Sequence, residues 1–351
     1  MHRIIKTIVA LALVLAMVIP FTACSSTTSK VTINVLNWGD YIDPDLIDQF
    51  EEEYGINVKY STLTSNEEML VKLTASDCIY DLCIPSDYVI EKLIGQDLLA
   101  EIDMDKLPNI SNINPEFLDL AFDPGNKYSV PYFWGTLGIL YNTTMVDPED
   151  DVASWDILWN EKYAGKIIMY DSVRDTVGMA LARLGYSINS TNEDELREAQ
   201  ESLIEQKPLT MAYLTDDCKM EMINGNAALC VTYSGDALEA MAENEDLAYV
   251  VPAGGGNYWF DNMVIPKTSE HYDETMQFIN FLLDAEVAAQ NAEYICYCTP
   301  NSASLAYIDP EMVADETFNP SEETISRLDV YHDLGDFISV YNDVWTKVKQ
   351  A

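Results

Sequence analysis

The first hundred residues alternate short apolar strands with capped helices, and this pattern restricts the fold more than any other feature. Apolar residues predict a first strand over Val31–Leu36, and Asp43 and Gly55 mark the two ends of the helix that follows. Second and third strands are predicted over Ile56–Tyr60 and Ile79–Ile84, with another helix between them. Strand, helix and strand in alternation indicate an α/β fold with a mostly parallel sheet, whose ligands bind where the strands end.

Later segments continue the α/β pattern. We predict strands over Lys166–Tyr170 and Ala227–Tyr233, and an extended aromatic segment over Tyr128–Asn142 that crosses between domains. Apolar periodicity predicts one amphipathic helix over Thr275–Asn291 and a mostly helical C-terminal region over Thr324–Lys349.

The N-terminus carries a targeting signal. Arg3 and Lys6 precede an apolar run over Ile8–Phe21, which is short for a membrane span but suits a signal peptide. Small residues before Cys24 and a Ser/Thr stretch after it resemble the bacterial lipoprotein signal. We therefore expect a signal peptide over residues 1–23, a lipidated Cys24 and a linker over 24–30. An uncleaved anchor or a plain secretory peptide is the alternative, and all three place the protein outside the cytoplasmic membrane.

Charge narrows the classes of ligand. The chain of 351 residues has 19 basic and 59 acidic side chains, a formal charge of -40, and 48% hydrophobic residues. The acidic excess argues against nucleic acid as a partner, because phosphate contacts need Lys and Arg. It favours a positively charged ligand, and the length and hydrophobic content allow two packed domains.

Neither a metal site nor a disulfide pattern can be assigned. Six cysteines follow Cys24, an even number that allows disulfides in an exported protein without indicating their pairing. No CxxC pair occurs, and His271 and His332 are the only histidines after the signal region. We therefore expect no metal and no cofactor. The six cysteines are Cys78, Cys83, Cys218, Cys230, Cys296 and Cys298.

Catalysis has little support. The sequence lacks the nucleophile-elbow motif GxSxG, the phosphate-binding P-loop and the dinucleotide motif GxGxxG. A Ser-His-Asp arrangement would have to use one of the two histidines, and carboxylate pairs are expected by chance in so acidic a chain. An extracellular hydrolase remains as the weaker, enzymatic alternative.

Three loops combine aromatic rings with acids, as a site for an organic cation does. Trp38, Asp40 and Tyr41 follow the first strand, and Ser86-Asp-Tyr88 follows the third. Gly254–Gly256 precede Tyr258-Trp259-Phe260-Asp261. A ring face attracts an ammonium group, and a carboxylate supplies the opposite charge that burial requires. The competing interpretation is that the rings pack in the core while the acids face water.

At these loops the chain resembles the polyamine-binding proteins of ABC importers, of the spermidine/putrescine-binding type, from about Val31 to the C-terminus. The motifs that carry the resemblance are Asn37–Tyr41, Asp81–Ser86, Tyr128–Gly135, Ala182–Tyr186, Tyr258–Asp261, Ile279–Leu283 and Thr299–Asn301. The resemblance implies a two-lobed type II periplasmic-binding-protein fold with the ligand in the cleft between the lobes. Lobe one would comprise residues 31–137 and 261–305, and lobe two residues 138–260 and 306–351.

The resemblance also implies the ligand-binding residues. An aromatic box would surround the polyamine's methylene chain, acids would hold its ammonium groups, and Ser86 and Tyr297 would add hydrogen bonds. The box residues are Trp38, Tyr41, Tyr88, Tyr233 and Trp259, and the acids are Asp40, Asp175 and Asp261. Ser172 stands where the spermidine binder has an acid, which adjacent Asp171 could replace; Tyr233 replaces a Trp and Tyr331 a Gln.

The expected function is thus an extracytoplasmic, monomeric substrate-binding subunit that delivers putrescine, spermidine or both to an ABC permease, without enzymatic activity. Only the Cys24 lipid would touch the membrane. A binder of another solute, such as an amino acid, a sugar or iron, is the alternative. An amino-acid site needs an arginine for the carboxylate, and Arg174 and Arg183 are the nearby candidates.

Overall fold

The computed structural model describes residues 30–351, so the predicted signal peptide and Cys24 lie outside the described residues. Strands and helices alternate along the chain, with short 3-10 turns in several connections. The strands are β1 Thr32–Trp38, β2 Asn57–Leu63, β3 Leu82–Cys83, β4 Ser129–Asn142, β5 Ile167–Tyr170, β6 Thr210–Leu214, β7 Leu229–Tyr233, β8 Leu247–Val250, β9 Gly256–Val264 and β10 Leu328–Asp329. The helices are α1 Pro44–Tyr54, α2 Asn66–Thr74, α3 Asp87–Gly95, α4 Val173–Arg183, α5 Glu193–Gln206, α6 Cys218–Ile223, α7 Ser234–Glu243, α8 Tyr272–Leu282, α9 Ala285–Ile295, α10 Pro310–Ala314, α11 Glu322–Ile325 and α12 Ile338–Gln350.

Local capping explains why the first helix was predictable. The Asp43 carboxylate accepts the Asp45 N–H at 3.0 Å, and Pro44 supplies the first helical residue without losing a needed hydrogen bond. At the other end Gly55 adopts φ 70° and donates its N–H to the Glu51 carbonyl, which ends the helix. The predicted bounds of α1 are confirmed.

The sheet order confirms the predicted α/β class. Neighbouring strands run β2-β1-β3-β9-β4-β7-β5-β6, with β8 beside β4 and β10 beside β9. β1 pairs in parallel with β2 and β3, and β5 pairs in parallel with β6 and β7. Between these parallel groups lie the long antiparallel strands β4 and β9. Two parallel units joined by two long strands form the two-lobed fold.

Each lobe has its own core, and β4 passes from one to the other. Its first half, with Phe133 and Trp134, packs in the cores around β1 and β3. Its second half, beginning at Leu137, packs in the cores around β5 and β7. Phe318 also packs in the first lobe, beyond the expected change at residue 305. The exact lobe boundaries stay a prediction.

The prediction of one continuous helix after β9 was wrong. The single helix expected over residues 275–291 is two helices, α8 and α9, because the Leu283 carbonyl accepts hydrogen bonds from the side-chain amides of Asn112 and Asn301. Asp284 then caps α9 by accepting the N–H groups of Glu286 and Val287. These tertiary partners replace the hydrogen bonds that would continue one helix.

The C-terminal region is mostly helical, as predicted, but an extended segment interrupts it. Helix occupies Glu322–Ile325 and Ile338–Gln350, and the chain between them is mostly extended or irregular. Leu328 and Asp329 pair with Gly256 and Asn257 of β9, and the His332 N–H is held by Asn189 at 3.0 Å. Pairing with distant segments therefore overrides the local helical periodicity.

Neither a membrane-spanning helix nor a metal-binding group is found within residues 30–351. None of the helices in that range is both long and apolar enough to cross a bilayer. That range also lacks a group of three or more His, Cys, Asp or Glu side chains that could hold a metal ion. The six cysteines are free thiols in the structure.

Candidate functional site

Ser86 and Asp261 meet where the third strand ends. They form an isolated antiparallel bridge, and Ser86 Oγ donates to Asp261 Oδ1 at 2.7 Å. Ser86 occupies the N-cap of α3, yet its hydroxyl makes no capping bond and instead accepts from the Asn66 side-chain amide at 3.0 Å. Diverting a capping residue in this way fixes the orientation of the Asp261 carboxylate.

Three predicted box residues and Tyr297 form one aromatic cluster beside this carboxylate. The Tyr297 ring lies edge-to-face with Trp259 at 5.2 Å and with Tyr41 at 5.6 Å between centroids. Trp259 also meets the Tyr233 ring at 5.8 Å. The Trp259 and Trp38 indole N–H groups and the Tyr41 hydroxyl are buried without a hydrogen-bond partner in the described part of the chain. Such orphaned polar groups indicate a site built for something more than core packing.

A second carboxylate, Asp175, lies in the first turn of α4. It accepts from the Tyr233 hydroxyl at 2.9 Å and from the Tyr331 hydroxyl at 3.4 Å. Burial raises the pKa of Asp175, although hydrogen bonds from Ser172, Tyr233 and Tyr331 oppose the shift. Since Tyr331 replaces the Gln expected from the family, this chain gives Asp175 an additional hydroxyl donor.

Asp261 is buried without a compensating cation. Burial raises its pKa to about 7, against the opposing effects of Ser86 and of the Tyr41 hydroxyl. The Tyr41 hydroxyl faces the carboxylate, but the contact falls outside hydrogen-bond geometry, so Ser86 is the donor we assign. Asp261 forms no salt bridge with any residue in the range 30–351. An ionised carboxylate in this position lacks a positive partner.

Two acids, one buried and one partly buried, were not among the predicted site residues. Asp87 is 0% exposed and burial raises its pKa to about 8. Asp236, in the first turn of α7, accepts from the Tyr297 hydroxyl at 3.4 Å, and burial raises its pKa to about 6. Asp87 was visible in the Ser86-Asp-Tyr88 loop; Asp236 carries no local signal beyond its position three residues after Tyr233.

Two predicted acids do not join the cluster. Asp40 is exposed in the turn after β1, where its φ is 45°. Asp171 is partly exposed and paired with Lys349 of α12 at 2.7 Å, so its carboxylate already has a cation in this structure. Tyr88 makes its ring contact with Tyr331 and not with this cluster, at 6.4 Å between centroids.

Both arginines proposed for an amino-acid carboxylate are already occupied. Arg174 donates to the His332 carbonyl at 2.9 Å and to Asn189 at 2.7 Å, and its guanidinium lies 4.3 Å from the Tyr331 ring centroid. Arg183 is paired with Asp156 at 2.7 Å and packs 4.1 Å from the Trp159 ring. The described site therefore contains acids and rings but no free arginine.

Comparison with known proteins agrees with this chemistry. Residues 45–320 match the family described as bacterial extracellular solute-binding protein. The spermidine/putrescine-binding periplasmic protein of Escherichia coli (strain K12) is 38% identical over 319 residues, 91% of each chain. A spermidine/putrescine ABC transporter substrate-binding protein from Streptococcus pneumoniae is 45% identical, with a TM-score of 0.82 over 92% of this chain and 99% of that one. A lipoprotein of Treponema pallidum is 28% identical, with a TM-score of 0.82 over 90% and 99%.

Proposed function

This chain belongs to the family of bacterial extracellular solute-binding proteins, and we propose that it captures polyamines for an ABC importer. It binds putrescine, spermidine or both between its two lobes and presents them to the permease. Like its relatives, it is a binding protein and not an enzyme. The observation that carries the proposal is a set of buried carboxylates that face aromatic rings and lack a cation of their own.

The energetics of these carboxylates favour a cationic ligand. A buried ionised carboxylate is costly unless it is paired, and the raised pKa of Asp261, about 7, reflects that cost. An ammonium group supplies the missing charge and the hydrogen-bond donors together. The edges and faces of Trp259, Tyr41 and Tyr297 then enclose the methylene chain, and a ring face adds roughly 0.5–2 kcal/mol per cation.

Two separated acids suit a ligand with an amine at each end. Asp261 is held by Ser86 of the first lobe, whereas Asp175 is held by Tyr233 and Tyr331, which pack in the second lobe. A diamine that spans these acids contacts both lobes, so binding stabilises the arrangement in which they are close together. We assign Asp261 and Asp175 to the ammonium groups and Trp259 to the chain between them.

The remaining predicted residues extend this assignment. We place Trp38, Tyr41, Tyr88, Tyr233 and Tyr297 in the aromatic wall and Ser86 as a hydrogen-bond donor. With Asp171 paired to Lys349, the second-lobe end has Asp175 as its principal acid. This loss of one acid favours a diamine at least as much as a triamine.

Competing solutes fit less well. An α-amino acid needs a positive group for its carboxylate, and Arg174 and Arg183 are engaged by other partners. A neutral sugar brings no positive charge for the buried acids, and residues 30–351 contain no group of three or more His, Cys, Asp or Glu side chains that could hold iron. The polyamine proposal explains both features with one ligand.

For its location we propose the outer face of the cytoplasmic membrane, with Cys24 carrying the lipid. The family is extracellular, and the similar protein of Treponema pallidum is a lipoprotein. The mature chain would act as a monomer that meets the permease subunits when ligand is bound.

Isothermal titration calorimetry on the mature protein tests the proposal. Putrescine, spermidine and spermine are titrated beside a panel of amino acids and a simple sugar. We expect heat with at least one polyamine and none with the panel. No binding of any polyamine overturns the function, and turnover of a glycoside or ester would revive the hydrolase alternative.

A further inference from the structure

Asp87 and Asp261 belong to two segments that are joined by one backbone contact. Ser86 and Asp261 form an antiparallel bridge, and Asp87 directly follows Ser86. The Asp87 Oδ2 accepts the N–H of Phe260, the residue before Asp261, at 3.3 Å. This hydrogen bond ties Asp87 to the strand that carries Asp261, and the charge of Asp261 adds to the raised pKa of Asp87.

The Asp87 carboxyl is inaccessible and weakly compensated. It is 0% exposed, and its hydrogen-bond donors in the described chain are the backbone N–H groups of Tyr88 at 2.7 Å and Phe260 at 3.3 Å. Two amide donors reduce the cost of a buried negative charge but do not cancel it. Burial raises the pKa to about 8, so this carboxyl holds a proton at neutral pH.

The charged and titratable groups around the pair leave this proton in place. Asp87 is influenced by Asp261 and Tyr258 of β9, Tyr88 of its own helix and Arg174 of α4. Asp261 is additionally faced by Tyr41 and Tyr132. Arg174 lowers the pKa of Asp87, yet its guanidinium donates to the His332 carbonyl and to Asn189. Within residues 30–351 neither acid forms a salt bridge.

We propose that Asp87 and Asp261 form a proton-exchanging pair, so that an ammonium group binding at Asp261 displaces a proton from the pair to solvent. The inference rests on the proposed polyamine function and names a further residue, Asp87, for it. No covalent bond forms: the ligand brings one positive charge, a carboxyl becomes a carboxylate, and the proton leaves to the buffer. The net charge of the buried site stays nearly constant.

This exchange makes ligand affinity depend on pH in a defined direction. Protons and the ammonium group compete for the same pair, so polyamine affinity rises as the pH rises through about 7 to 8. Where one proton is released per ligand, affinity changes roughly tenfold per pH unit. A carboxylate that was ionised throughout would give no such dependence.

Calorimetry in two buffers counts the protons. Putrescine, with spermidine as a second probe, is titrated at pH 7 in phosphate and in Tris, which differ in ionisation enthalpy. From the two raised pKa values we expect roughly one proton released per ligand by the wild-type protein. Asp87→Asn should release clearly less, and Asp273→Asn, at an exposed acid paired with Lys106, should match the wild type.

The pH dependence of the variant separates proton exchange from a plain structural role. We expect Asp87→Asn to bind within about threefold of wild type at pH 6 but at least about tenfold more weakly at pH 8.5. Protonation of the polyamine itself affects wild type and variant equally, so it cancels in the ratio of their affinities. Binding without proton release overturns this inference alone, as does a ratio that does not change with pH. No polyamine binding at any pH overturns the proposed function as well. If Asp87→Asn does not fold, the two-buffer measurement on the wild-type protein still decides.

Discussion

Asp236 differs from Asp261 and Asp87 in exposure and in having a basic partner: its side chain is 16% exposed, whereas Asp261 and Asp87 are 6% and 0% exposed. Asp236 has Lys219 at 3.6 Å, and Lys219 also binds Glu239. Asp261 and Asp87 have no lysine or arginine in salt-bridge contact among the described residues. The pKa of Asp236 is raised to about 6, whereas those of Asp261 and Asp87 are raised to about 7 and about 8.

The difference shows how the chain separates a structural acid from a binding acid. Lys219 partly offsets the burial cost of Asp236, so that acid needs no ligand to be charged near neutral pH. Asp261 has no such partner among the described residues, so a bound ligand has to supply the positive charge. A buried carboxylate therefore indicates a cation site when no lysine or arginine of the protein pairs with it.

The largest expected effect comes from removing the charge of Asp261. Asp261→Asn should weaken polyamine binding by about 2–3 kcal/mol, roughly 30- to 150-fold, because a desolvated ammonium loses its charged partner. Titration calorimetry at pH 8 measures it. An unchanged affinity would place the ammonium elsewhere and end the contrast with Asp236.

The next effect concerns the ring that joins the two regions. A Cβ on Gly235 would lie 2.5 Å from the Tyr297 ring, so Gly235→Ala should force that ring away and weaken binding about tenfold. Gly95→Ala is the matched control, since nothing lies within 4 Å of its added Cβ. Equal affinity of both variants would show that Tyr297 need not pack on α7.

A smaller effect is expected in the stability of the ligand-free protein. Because the folded-state pKa of Asp261 is about 7, above the value of an exposed aspartate, the folded protein binds more protons than the unfolded chain between about pH 4 and 7. Its stability therefore falls as the pH rises through this range, and for Asp87 the fall continues to about pH 8.

Thermal unfolding at pH 5.5 and 8.5 measures this loss, which the two raised pKa values put at about 2 kcal/mol for Asp261 and about 3 kcal/mol for Asp87. Asp261→Asn should remove the Asp261 share of the pH dependence, while Asp273→Asn should retain all of it. Saturating polyamine should restore most of the loss at the higher pH. If Asp261→Asn kept the full dependence of stability on pH, that dependence would come from the general acidic charge of the chain.

The smallest effect belongs to Asp236. Asp236→Asn should weaken binding by no more than about threefold, since Lys219 already offsets that charge and Glu239 still holds the lysine. Calorimetry beside Asp261→Asn makes the comparison direct. A loss as large as that of Asp261→Asn would show that Asp236 also binds an ammonium group.

Part of the site was predictable because Trp38 ends β1 and Ser86 follows β3, and the resemblance to polyamine binders adds Asp175 and Tyr297. The expected loop around Trp259 and Asp261 was wrong, because both residues lie inside β9, where they pair with β4. Asp236 could not be found in this way, since its only distinction is contact with Tyr297, 61 residues away in sequence. Asp87 was adjacent to a chosen residue, but its complete burial follows from the approach of β9.

The failed prediction of one helix over residues 275–291 has the same cause. α1 was bounded correctly because its caps are contacts between residues two to four positions apart. The break between α8 and α9 instead depends on Asn112, 171 residues before the carbonyl that it binds. Periodicity describes which face is apolar, and it does not say whether a distant side chain takes a carbonyl out of the helix.

The sequence by itself determined the α/β alternation, the capped helices, the acidic charge and the recurrence of rings beside acids, because these depend on neighbouring residues. Only the tertiary structure decided which acids are left without a cation. Asp171 is satisfied by Lys349 and Asp236 by Lys219, whereas Asp261 and Asp87 are not. Lys349 is 178 residues from Asp171, and electrostatic pairing acts through space, so the order of residues does not reveal it.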